Sequence, residues 1–164
     1  MAIGMTRMLH VKLPVTDLQA SVTWYCELMD LALWREFIED GEVRGAALRS
    51  EEGGFSFALR IREYCESTPD LNAFDIVALH ISDRDRLEPI RERAQRLGAS
   101  HTEVQGRGPN EAIVDVTDPD GTVLRFYWVG PDDVDEFVGM DFSSGPIPGF
   151  SATPRLTAPR IAGR

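Results

Sequence analysis

Two histidines carry the sharpest chemical signal in this chain. His10 and His80 stand 70 positions apart, each on a run with strand-like alternation that leads straight into an amphipathic helical pattern. Imidazole ligates metals and moves protons near neutrality, so the pair is a candidate site for either chemistry. One strand-led unit used twice would carry both rings toward a common cavity. Lys12 falls on the same strand face as His10, because side chains alternate along a strand.

The elements that must position them follow from periodicity. Leu9, Val11, Leu13 and Val15 alternate with Met8, His10, Lys12 and Pro14, which predicts a strand. Thr16 with Gln19 has the spacing of a capping box, and Leu18, Val22, Tyr25 and Met29 then recur at helical spacing. Strand-like runs follow over 31–39, 43–49 and 55–62, with Asp40-Gly41 and Gly53-Gly54 as hairpin turns. The pattern then repeats. A strand covers 74–82. A helix carries Leu87, Ile90, Ala94 and Leu97 on one face and stops at Gly98. Strands are expected over 101–105, 112–116 and 122–129, and Asp118-Pro119-Asp120-Gly121 turns the chain into the last of them. The expected fold is α+β: two paired βαβββ modules (8–64 and 74–130) forming a cupped, barrel-like mixed sheet with flanking helices, in one domain over 1–130.

Residues 131–164 hold half of the ten prolines and no such periodicity. This tail cannot build a core of its own. Phe137, Met140, Phe142 and Phe150 give it the means to wrap over the domain or a second subunit; disorder is the alternative.

Composition narrows the function classes. With 164 residues, 43% apolar and 27% charged, the chain suits a globular domain. Its net charge of −10 argues against a nucleic-acid partner, which calls for clustered basic residues. Lys12 is the only lysine. Cys26 and Cys65 form no CxxC, so nothing demands an oxidising compartment. Neither a signal-peptide pattern nor a membrane-spanning apolar stretch is present, and a cytoplasmic location is the default expectation.

The ordered motifs Leu9-His10-Val11, Asp17-Leu18-Gln19-Ala20-Ser21, Trp24-Tyr25, Leu79-His80-Ile81, Leu97-Gly98-Ala99 and Asp118-Pro119-Asp120-Gly121 resemble the vicinal oxygen chelate superfamily. That superfamily includes glyoxalase I, bleomycin-resistance proteins and extradiol dioxygenases. The resemblance covers about Met8 to Val129 and leaves out the tail. It implies paired modules around a cavity, a homodimer, and a divalent metal that chelates adjacent substrate oxygens. It places His10 and His80 at the two histidine ligand positions. A carboxylate is implied four residues after the glycine of the Asp-Pro-Asp-Gly turn, yet that position is Arg125, and Ser56 to Arg60 offers no acid either.

Arginine stays cationic and cannot ligate a metal while protonated. At about 5 Å and an effective dielectric near 20, its charge opposes a divalent ion by about 6–7 kcal/mol. A displaced acid, Glu103, Glu111 or Asp115, is the remaining way to complete a site. The cofactor expectation is therefore none or a divalent metal.

If Arg125 points inward, Tyr127 shares its face. His10, Lys12, His80, Arg125 and Tyr127 then form a polar, partly cationic floor for a carboxylate, phosphate, enolate or phenolate. The alternative pairs Arg125 with a local acid and leaves the histidines only structural. Trp34 is a candidate for the pocket lining, with packing as its other reading.

Two function classes follow. One is a small-molecule-binding protein of the glyoxalase/bleomycin-resistance type without an intact metal site. The other is a lyase, isomerase or dioxygenase acting on a small oxygenated or aromatic substrate. In the second, His10 and His80 act as metal ligands or acid–base groups, and Arg125, assisted by Lys12, stabilises negative charge.

Overall fold

The structure is a computed structural model that describes residues 7–51, 54–130, 139–141, 143–145, 149–151, 153 and 156. The first half runs β1 (Val11–Val15), α1 (Leu18–Met29), β2 (Leu31–Glu39), β3 (Glu42–Ser50) and β4 (Ser56–Ile61). The second repeats the order as β5 (Asp75–Ile81), α2 (Leu87–Arg96), β6 (Gln105–Gly106), β7 (Glu111–Thr117) and β8 (Val123–Val129). A small antiparallel pair, β9 (Gly139–Asp141) with β10 (Gly149–Ser151), lies in the tail. The expectation of a wrapping or disordered tail rests mainly on residues outside the described ones, Phe137 and Phe142 among them.

Each half makes its own four-stranded mixed sheet. The orders are β1-β4-β3-β2 and β5-β8-β7-β6, so the leading strand sits at an edge beside the last strand of its module, and parallel to it. The expected cupped architecture is thus two open sheets, not closed into a barrel. The expected strand over 101–105 shrinks to a bridge at His101 and the two residues of β6.

One apolar cluster joins the halves. Leu13, Val15, Phe57 and Leu59 from the first sheet, Val114, Val116, Leu124 and Phe126 from the second, and Tyr25, Leu28, Leu87 and Ala94 from the helices are all buried in it. Each Val, Leu or Phe side chain among them contributes about 1.5–3 kcal/mol by leaving water. The face α1 buries is Ser21, Trp24, Tyr25 and Leu28, rotated from the expected stripe. Leu18 and Val22 are only half-buried because they face a groove against Leu33 and Val43.

Polar ties between the halves explain a second departure. Asp17, not Thr16, caps α1, its carboxylate accepting from the Ala20 amide at 2.9 Å. Thr16 is engaged elsewhere: its amide and its hydroxyl both donate to the Asp120 carboxylate, 104 residues away. Asp118 is buried and accepts from the Tyr25 hydroxyl at 2.7 Å and from the Thr122 and Asp120 amides at 2.8 and 2.9 Å. Gly121 is required in this turn on two counts. Its φ is +89°, and a Cβ there would lie 2.3 Å from Asn72 Oδ1. The Asp-Pro-Asp-Gly segment is therefore both a turn and the clasp between modules.

Candidate functional site

Edge position decides where the imidazoles go. β1 and β5 are edge strands that are not hydrogen-bonded to each other, and a hollow of about 500 Å3 lies between the chain leading into β1 and the end of β5. That volume is typical of small-molecule sites. His10 and His80 both line it. Both rings are exposed, and neither has a hydrogen-bond or ion-pair partner among the described residues. The remaining wall is mostly apolar: Leu9, Val11, Phe55, Phe57, Val77 and Leu79. Ser56 also belongs to it, but its hydroxyl already donates to the Leu9 carbonyl at 2.6 Å. Sequence periodicity placed these wall residues on strands without marking them for the site, because nothing in a strand pattern says which edge stays open.

The other candidate residues are not gathered around the rings in the same way. Register puts Ala78 beside Arg125 and His80 beside Tyr127, so Arg125 and Tyr127 share the sheet face of His80. Neither lines the hollow. Arg125 makes a two-point pair with Asp115, both contacts at 2.9 Å, and a further one with Asp75 at 2.6 Å. These bonds raise its already high pKa. The Tyr127 hydroxyl donates to Glu111, and burial together with that carboxylate pushes its pKa up to about 12. The surroundings of Arg125 are consequently not cationic, since one guanidinium faces the carboxylates of both Asp115 and Asp75.

Lys12 is exposed on β1 and close enough to Glu39 to help hold that carboxyl below its usual range, a shift led by the hydrogen bond from Arg60. Trp34 sits on β2, three strands across the sheet from β1, about 14 Å at ordinary strand spacing. Its ring is covered by the guanidinium of Arg35 at 4.1 Å, with Arg49 at 5.3 Å. It takes no part in the hollow.

The donor set does not fit the metal site that the resemblance implies. Two imidazoles are available, and the third position is a guanidinium bonded to two acids. The displaced acids are engaged as well: Asp115 with Arg125, Glu111 with Tyr127, and Glu103 near Arg91 at 3.8 Å. Among the described residues no three His, Cys, Asp or Glu side chains gather to hold an ion. What the arrangement offers is an apolar slot with two hydrogen-bonding rings, each able to donate or accept. No described helix is long and apolar enough to cross a membrane.

Comparison with known proteins agrees with the fold. The family model described as Glyoxalase/Bleomycin resistance protein/Dioxygenase superfamily matches residues 7–126. No curated protein matches the chain. Among solved structures, a glyoxylase/bleomycin resistance protein/dioxygenase domain from Frankia sp. EAN1pec is 23% identical over 77% of this chain and 99% of its own, with a TM-score of 0.60. TnmS3, an antibiotic binding protein from Streptomyces sp. CB03234, is 17% identical over 79% of this chain and all of its own, with a TM-score of 0.64. A fosfomycin resistance protein, FosX, from Listeria monocytogenes, in complex with Mn(II), is 14% identical over 80% and 95%, with a TM-score of 0.61. At these identities the structural likeness speaks for the fold alone. With the family model spanning well over half of its residues, the chain belongs to the glyoxalase/bleomycin resistance protein/dioxygenase superfamily.

Proposed function

We propose that this protein binds a small oxygenated or aromatic molecule in the hollow between β1 and β5 and sequesters it without metal chemistry. The observation that carries the reading is the pair of imidazoles, without a partner among the described residues, on an apolar slot of about 500 Å3, with Arg125 bonded to Asp115 and Asp75. Apolar walls supply affinity, and the two rings orient polar oxygens. The antibiotic-binding protein among its structural relatives supports sequestration as a use of this fold. A homodimer in the cytoplasm is the setting we assign to it. The exposed apolar side chains of β2, Leu33, Phe37 and Ile38, support a second copy.

A second reading is favoured by the same rings: a lyase, isomerase or dioxygenase in which His10 and His80 serve as acid and base or as metal ligands. Metal analysis of protein purified without chelator separates the two. Sequestration expects less than stoichiometric metal. It also expects thermal stabilisation by oxygenated aromatic compounds that weakens about tenfold in His10→Ala and His80→Ala. Stoichiometric iron, manganese, nickel or zinc that disappears in either variant overturns it in favour of the enzyme.

A further inference from the structure

A second cleft, of about 280 Å3, opens on the helix side of β5, between the end of α1 and the start of α2. Leu28 and Phe126, both buried, lie at its base, and Met29, Ile81 and Ile90 are half-buried along its sides. Phe55, Leu79 and His80 line this cleft and the front hollow alike, so one layer of side chains parts the two spaces.

The charges of the cleft distinguish it from an ordinary apolar dent. Arg93 is taken up by Asp30 at 2.7 Å and by the Leu28 carbonyl at 3.2 Å. Glu88, in the first turn of α2, is bonded to Arg91. The Arg86 guanidinium has no ion pair or hydrogen bond among the described residues. It is the last residue of a single 3-10 turn, Arg84–Arg86, that runs directly into α2.

We propose that this cleft binds an aliphatic monocarboxylate, with its hydrocarbon against Leu28, Ile90 and Phe126 and its carboxylate on Arg86. The apolar lining disfavours sugars and polyanions, whose polar groups would lose water without partners. The single guanidinium left unpaired in the cleft among the described residues matches one anionic head and pairs with a carboxylate in two-point geometry. The volume sits at the small end of ligand sites, which suits a medium chain rather than a long one. This inference does not depend on what occupies the front hollow.

Calorimetric titration of the full chain with octanoate, hexanoate and octanol tests it. Octanoate is expected to saturate one site, and hexanoate to bind about sixteenfold more weakly, about fourfold for each buried methylene lost. Arg86→Gln, at an exposed position, is expected to weaken octanoate about tenfold and leave octanol unchanged. Pro89→Trp, also exposed and on the cleft, should block both. Ala78→Trp, which fills only the front hollow, should block neither. No octanoate binding to the folded chain, or equal affinity in Arg86→Gln, overturns the proposal. So does loss of binding in Ala78→Trp alone, which would move the acid to the front hollow.

Discussion

The Tyr25 hydroxyl in α1 donates to Asp118 Oδ2 at 2.7 Å, joining the helix of the first module to the last turn of the second. Burial raises the pKa of both groups. For Asp118 the sign follows directly. A carboxyl with a raised folded pKa adds stability below its unfolded value and loses that contribution as pH climbs through the folded one. The Tyr25 hydroxyl and the two amides act the other way, favouring its charged form. Tyr25→Phe should therefore cost about 1–3 kcal/mol near pH 7 and less near pH 3, read from urea midpoints.

Asp120 makes the companion contact. Its carboxylate receives the Thr16 amide at 3.0 Å and the Thr16 hydroxyl, and Arg62 approaches at 3.5 Å. Asp120→Ala is expected to lower stability by about 1–2 kcal/mol. Thr16→Ala, which keeps the amide, should lose less. A double-mutant cycle gives the coupling.

Tyr127 offers a test at the alkaline end. Its folded pKa of about 12 exceeds the ordinary 10.0. The stabilisation from Tyr127 is thus complete below pH 10.0 and lost as pH rises toward about 12. Besides the buried Tyr25, ultraviolet titration should show a late phenolate that is missing in Tyr127→Phe and titrates earlier in Glu111→Gln.

Arg125→Ala leaves Asp115 and Asp75 facing each other without their shared cation. Because the site is only partly buried, a loss of about 1 kcal/mol is expected, and Asp115→Ala in the same background should restore part of it. A double variant no more stable than Arg125→Ala would show the pair to be energetically idle.

Gly45→Ala should be disproportionately harmful for one methyl group. The added Cβ would sit 2.8 Å from the Leu59 carbonyl, a main-chain atom held in the β3–β4 ladder. A cost of about 1–3 kcal/mol is expected in thermal melts.

The doubled βαβββ order was legible because alternation, helical spacing and the Asp-Pro-Asp-Gly turn all agree locally. That agreement placed His80 on β5, but it carried the first strand too far back, since His10 lies just before β1. Which side of Thr16 caps the helix was not legible, since its competing acceptor lies on the far side of the sequence at Asp120. The pairing of Arg125 was open for a related reason. Strand alternation gives its face, but only the β7–β8 register puts Asp115 directly opposite. Trp34 illustrates a further limit: its type suited a pocket, while sheet order set it three strands from β1.

The clasp at Asp118 and Asp120 also bears on biosynthesis. Emerging from the ribosome, the amino-terminal module has every strand it needs long before position 118 is translated. Yet Tyr25 and Thr16 must wait for acceptors supplied near the end of β7, so that module stays incompletely locked until the second is almost finished. A fragment ending at Thr117 would accordingly open more readily to protease than the full polypeptide.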